Sequence, residues 1–331
     1  MVEDNHTFAS EFILLGFTNQ KDLQVTCFVL FLAIYVVTLI GNLGVILLIR
    51  TDLCLRTPMY FFLSHLSLLD ICYSSTIIPQ TLQSFLVERK VISFVSCATQ
   101  LFSFATCATS ECYVLAAMAY DRYMAICKPL LYPVVMSQQL CLGMLAGAYL
   151  VGGISATVYA VSIFRLPFCQ SKKINHFFCD GPPLLALSCS DTRVSEVTVS
   201  TLVGFNVLST LVIILASYLS VLSNILWTYP ASRHKAFSTC ASHLVSIVLY
   251  YGSSLFTYLR PVSRRSLGHE KVVSVLYSVA VPMLNPLIYS LRNRDMRNAM
   301  RKAKGRVLSS LSIHGSWSAE SRGLPFPGEE G

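Results

Sequence analysis

Seven stretches of mostly apolar residues, parted by short polar segments, run along the chain between Leu23 and Leu291. The first is Leu23 to Ile49. The second opens at Thr57-Pro58 and runs to about Leu86. The third begins near Cys97 and closes at Arg122. The fourth is Leu140 to Phe164, the fifth Glu196 to Trp227, the sixth about Lys235 to Arg260, and the seventh Lys271 to Leu291. An α-helix rises ~1.5 Å per residue and a hydrocarbon core is ~30 Å thick, so each stretch is long enough to cross a bilayer. Stretches near 20 residues, without strict alternation, predict helices rather than a barrel of ~10-residue strands. The predicted fold is an all-α membrane protein, a seven-transmembrane helix bundle.

The polar punctuation divides the chain. Residues 1–22 form an N-terminal segment with an N-glycosylation sequon at Asn5-His6-Thr7. Residues 23–291 are the bundle. Residues 292–306 carry seven basic residues and suit a short amphipathic helix on an anionic membrane surface. Residues 307–331 are rich in Ser, Gly and Pro, the composition of a disordered tail. Pro58 suits the first turn of its helix, and Gly143, Gly147, Gly152 and Gly153 in the fourth span permit close helix contact.

Composition agrees with the pattern. Of 331 residues, 54% are hydrophobic and 13% charged, against about 25% charged in soluble domains; the mean hydropathy is +0.59. The start of the chain lacks a basic segment followed by a short apolar run, so no cleaved signal peptide is expected. The net charge of +8 does not point to nucleic acid, because the basic residues lie between spans and in the tail. Fourteen Lys and Arg fall on the side of the C-terminus and eleven on the other, which favours an inner C-terminus and an outer N-terminus.

Two carboxylates lie inside spans, Asp70 and Glu111, and charges there are functional by default. Asp70 is 12 residues, about 18 Å, beyond Pro58; Glu111 is 11 residues, about 16 Å, before Arg122. The two thus share a depth. Close carboxylates share a proton or a cation, and sodium fits hard oxygen ligands, with Asn285 able to complete the cluster. The plainer alternative is two separately hydrogen-bonded acids. No nucleophile, metal set or phosphate loop accompanies them, so an enzyme is not expected. His176-Phe177-Phe178-Cys179-Asp180 admits a metal site, weakly, since a disulfide at Cys179 would remove its thiolate. Cys97, Cys169, Cys179 and Cys189 lie on the outer, oxidising side, where four cysteines allow three pairings.

The motifs resemble those of odorant receptors, a family of rhodopsin-like G-protein-coupled receptors. The resemblance rests on Pro58 to Ser64, Met118 to Cys127, Ser217-Tyr218, Lys235 to Leu244 and Pro282 to Tyr289, in the right order and spans. It covers about Phe12 to Lys304. One detail departs: Arg56 stands where the family usually has His.

The resemblance implies that Asn42 ties the first helix to the second and seventh. It favours Cys97–Cys179 and Cys169–Cys189 as disulfides. It casts Asp121, Arg122, Tyr123, Tyr218, Asn285, Pro286 and Tyr289 as the inner switch. Helical spacing on the outer halves of the third, fifth and sixth spans then outlines a ligand pocket: Phe104, Ala105, Ala108, Thr109 and Cys112; Leu202, Val203 and Asn206; Tyr251, Leu255 and Tyr258. Ordinary core packing explains any one of these equally well. As a set they describe an apolar cavity with a few hydroxyls and one amide. The expected function is an odorant receptor at the plasma membrane, binding a small, largely apolar volatile molecule and activating a stimulatory heterotrimeric G protein to raise cyclic AMP, with membrane lipids as further partners. A same-class receptor for a non-odorant metabolite outside the nose is the alternative. A channel or transporter predicts charge-lined paths or paired broken helices, which the sequence lacks.

Overall fold

A computed structural model describes residues 10–18, 20–168, 172–226, 240, 241, 243–253, 255, 267–293 and 295–305. Asn5, Cys169, Lys235 to Thr239, Tyr258 and the tail after 306 lie outside the described residues. Five long helices come first: α1 (Lys21–Thr51), α2 (Pro58–Leu86), α3 (Phe94–Cys127), α4 (Gln138–Phe164) and α5 (Arg193–Leu226). The described part of α6 spans residues 240–255. α7 is continuous through Leu267–Val275, a π turn at Leu276–Ala280, and Val281–Arg292. α8 covers residues 295–305. Six of these helices are long and apolar enough to cross a membrane among the described residues, and α3 is the most enclosed. The architecture is the expected seven-helix bundle.

Local chemistry sets the ends. Pro58 occupies the first turn of α2, where its missing N–H costs no bond. Ser93 caps α3 by accepting the Ser96 N–H at 3.1 Å, and Ser137 caps α4 by accepting that of Leu140 at 3.3 Å. The prolines of α7 are handled individually. Pro286 leaves the carbonyl of Pro282, four residues earlier, without its helical donor, and Asn42 Nδ2 donates to that carbonyl at 3.0 Å. Asn42 therefore ties α1 to α7; its Oδ1 is buried without a partner among the described residues, so the expected tie to α2 is not made. The π turn ends two residues before Pro282, whose own missing N–H removes another rung.

The bundle is apolar outside and polar within, as a bilayer demands. Ile40, Phe205 and Leu219 each stand 65% or more exposed, while Asn42, Asp70 and Glu111 are buried. Of the four glycines expected at helix contacts, only Gly152 makes one: a Cβ there would run into the Ser110 side chain and meet the Thr106 carbonyl at 2.9 Å on α3. Gly143, Gly147 and Gly153 face open space, so they do not serve close packing.

One element was not foreseen. β1 (Glu11–Leu14) pairs antiparallel with β2 (Val91–Ser93) and parallel with β3 (Lys173–Ile174), so the N-terminal segment is clamped between two loops at the outer end. Phe12 and Leu14 point inward and are fully buried. Four residues of alternation are too short to stand out in a polar segment, and their partners are far away in sequence.

Candidate functional site

A cavity of about 70 Å³ opens among α2 to α7, toward the end of the bundle that carries the three-stranded sheet. Phe104, Ala105, Ala108, Thr109 and Cys112 of α3 and Leu202, Val203 and Asn206 of α5 line it. The sixth-helix expectation is corrected. Tyr250, not Tyr251, lines the cavity, its hydroxyl donating to the Ala108 carbonyl at 2.6 Å. Tyr251 instead donates to Thr210 Oγ1 at 2.7 Å, and Leu255 packs against the general core. One residue of helix is a turn of 100°, enough to exchange which tyrosine faces inward. Tyr73, Ser155, Tyr159 and Tyr277 also line the cavity from the second, fourth and seventh spans, outside the three expected stripes, and Val207 extends the stripe of the fifth. A polar aromatic residue inside each of three apolar spans was the available signal.

The polar groups of the cavity are unequally committed. Asn206 is fully used: its Oδ1 accepts from Tyr113 at 3.0 Å, and its Nδ2 donates to Ser155 Oγ at 3.1 Å and to the Leu202 carbonyl at 2.9 Å. The hydroxyl of Thr109 makes no hydrogen bond among the described residues. It is a polar group open to a ligand in a mostly apolar wall.

The loop after α4 roofs this cavity. Cys97 and Cys179 form a disulfide, with Cα atoms 5.5 Å apart, that holds the loop to the start of α3. Cys189 is also disulfide-bonded, while Cys169, its expected partner, lies outside the described residues. Phe178 packs on Phe104, ring centroids 5.3 Å apart. Asp180 accepts from Tyr159 and Tyr277, each at 3.3 Å, so one buried loop carboxylate joins α4 to α7. The metal reading of this segment is overturned. Cys179 is oxidised, and His176 is buried with Nε2 3.1 Å from Ser274 Oγ and Nδ1 accepting from the Phe178 N–H at 3.4 Å. Burial, with Lys271 nearby, pushes the His176 imidazole down to about 3, so it stays neutral.

Deeper in the bundle, Asn285 Nδ2 donates to both oxygens of Asp70, at 3.2 and 3.1 Å. Glu111 lies close enough to act on Asp70 electrostatically. Glu111 Oε1 and Asn285 Oδ1 are buried without a hydrogen-bond partner. Unpaired acceptor oxygens beside a second carboxylate are the donor chemistry of a hard cation, so the residues present fit sodium.

At the inner end Asp121 accepts from Tyr132, in the short helix Tyr132–Val135, at 2.9 Å. No ion pair joins Asp121 to Arg122 among the described residues, and Arg122 Nε is buried without a partner. Tyr218 of α5 and His243 of α6 meet at 2.6 Å, hydroxyl to Nδ1. Tyr123 packs with Tyr218 around Val221 and Cys240. Tyr289 is buried, and Pro286 touches the place where a Gly41 side chain would stand. Tyr60 donates to Asn293 Oδ1 at 3.0 Å, and Met296 and Ala299 bury one face of α8 against the bundle.

The bundle resembles squid rhodopsin in fold, with a TM-score of 0.64 over 94% of both chains at 16% identity. Human olfactory receptor 5B12 is 48% identical over 311 residues, 94% of this chain and 99% of the relative. Mouse olfactory receptor 5AP2 is 52% identical over 299 residues, 90% of this chain and 94% of the relative. The family model described as olfactory receptor matches residues 31–306, from the first span through α8. The match runs through every span that frames the cavity, and the chain belongs to the olfactory receptor family.

Proposed function

We propose that this chain is an odorant receptor of the plasma membrane, with its N-terminus outside and its C-terminus inside. It binds a small, largely apolar volatile molecule in the cavity around Thr109 and activates a stimulatory, olfactory-type G protein, raising cyclic AMP. The observation that carries this reading is the cavity itself: apolar walls, one uncommitted hydroxyl, and a disulfide-anchored roof. Its volume of about 70 Å³ is well below the ~300–1,000 Å³ of drug-sized sites, which favours a ligand of few heavy atoms.

Ligand binding shifts the bundle between closed and open arrangements. The ligand acts on Tyr250 and α6; the response at the inner end is exchange of the Tyr218–His243 and Asp121–Tyr132 contacts, uncovering the buried Arg122 for the G protein. Sodium held by Asp70, Glu111 and Asn285 favours the closed arrangement, because opening repacks α2, α3 and α7 around them. Cells expressing the receptor and an olfactory-type G protein, exposed to a panel of volatile alcohols, aldehydes, ketones and esters, test the reading. A ligand-dependent rise in cyclic AMP is expected. Ion flux through reconstituted receptor, without any cyclic AMP response, would contradict it.

A further inference from the structure

We propose a second binding site, at the opposite end of the bundle from the odorant cavity: a headgroup site for a phosphorylated inositol lipid, with Arg50 and Arg56 as its phosphate ligands. The cavity lies between the ends of α1, α2 and α4 and holds about 720 Å³, roughly ten times the odorant cavity. Arg50 closes α1 and Arg56 precedes α2, so the turn between them brings two guanidinium groups to one cavity wall. Both are exposed, and neither guanidinium makes a hydrogen bond or ion pair among the described residues. Asp52, the acid between them in sequence, is engaged elsewhere: Oδ1 accepts the Cys54 N–H at 2.9 Å and Oδ2 faces Lys302 Nζ at 3.8 Å. Two like charges lining one cavity without an acid repel each other unless an anion joins them.

The rest of the lining identifies the anion. Arginine presents a planar fork that matches phosphate oxygens, and two forks suit a headgroup with more than one phosphate. Thr57, Ser64 and Gln138 add hydroxyl and amide groups suited to ring hydroxyls, and Phe61 supplies an apolar wall. The volume accommodates an inositol ring with its phosphates and exceeds what a serine headgroup needs. Leu47 and Leu53, 61% and 69% exposed, flank the arginines with the apolar surface that acyl chains require.

The leaflet named here, the cytoplasmic one, rests on the proposed orientation; the binding does not. The test uses the full receptor in nanodiscs, which expose both faces, so an inverted topology leaves the lipid result unchanged and is read separately from glycosylation at Asn5. Discs of phosphatidylcholine carry either a small fraction of phosphatidylinositol bisphosphate or phosphatidylserine at matched charge, and retained lipid is counted by native mass spectrometry. Wild type is expected to retain the bisphosphate lipid roughly tenfold better than phosphatidylserine. Arg50→Gln and Arg56→Gln each reduce retention by roughly tenfold. Arg56→His reduces it at mildly alkaline pH while keeping the fold, and Arg193→Gln, exposed at the start of α5 at the opposite end of the bundle, leaves it unchanged. Equal retention of the two lipids, unchanged retention in both cavity variants, or an equal loss in Arg193→Gln would overturn the proposal. Displacement by soluble inositol trisphosphate at the same affinity as the lipid would overturn the lipid as occupant.

Discussion

Asn285 of α7 donates its amide nitrogen to both carboxylate oxygens of Asp70 of α2, at 3.1 and 3.2 Å. Its own Oδ1, and Oε1 of Glu111, remain buried acceptors without a donor. We propose that a sodium ion balances these surplus acceptors. Replacing sodium with a larger cation at constant ionic strength is expected to raise ligand-stimulated cyclic AMP in wild type. Asp70→Asn and Glu111→Gln are each expected to abolish that sodium effect, and the double variant to add little, since groups on one ion are not additive. Undiminished sodium dependence in both single variants, at matched surface expression, would leave the pair as structural acids.

The loop bridge gives a second expectation. Cys97→Ser and Cys179→Ser remove the same bond, so each should lower surface expression to the same degree, and the double variant should be no worse than either. Loss of a native disulfide costs about 2–5 kcal/mol in small secreted domains, enough to deplete a marginal receptor. A double variant much worse than each single one would show that the two sulfurs act separately.

Helix contact between α3 and α4 is concentrated at one residue. Gly152→Ala pushes a methyl group into Ser110 and against the Thr106 carbonyl, an overpacking change expected to cost about 1–3 kcal/mol. Gly153→Ala, one position on, meets nothing and is expected to be neutral or slightly stabilising. Thermal unfolding of the two purified variants separates these outcomes; equal melting temperatures would mean the helices move apart freely.

Acid should loosen the roof of the cavity. His176 is held near 3 in the folded protein against an ordinary value of 6.5, so the unfolded loop binds a proton that the folded loop refuses. Its contribution is complete above pH 6.5 and is lost progressively as pH falls from 6.5 toward 3. Between pH 7 and pH 5 the loss is about 2 kcal/mol. The melting temperature of wild type should fall over that interval more steeply than that of His176→Asn; parallel curves would assign the acid sensitivity to other groups.

The spans were legible because apolar runs of bilayer length have one physical reading, and the α3 and α5 lining was legible because Phe104, Ala105, Ala108, Thr109 and Cys112 recur at helical spacing. The choice between Tyr250 and Tyr251 was not, since adjacent aromatics carry equal hydropathy and α6 is turned by its packing. Asn42 was recognisable as a tie; its acceptor, the carbonyl freed by Pro286, needed the coordinates. Tyr132 as the partner of Asp121 was hidden for a different reason, because nothing in the helix pattern says that the loop after α3 folds back on it. The clamped strand Glu11–Leu14 owes its order to partners about 80 and 160 residues away, a distance over which a local pattern carries no information.

The most direct test of a ligand cavity around Thr109 is the cyclic AMP dose response to the best oxygenated volatile ligand of the panel, in wild type, Thr109→Val and Ala108→Phe at matched surface expression. Thr109→Val keeps the shape and removes the hydroxyl; loss of one hydrogen bond is expected to shift half-maximal response by roughly tenfold. The ether or hydrocarbon analogue of that ligand should discriminate less between the two receptors. Ala108→Phe fills a cavity of about 70 Å³ and is expected to abolish the response. Superimposable dose-response curves for all three receptors would contradict the assignment and place the odorant elsewhere.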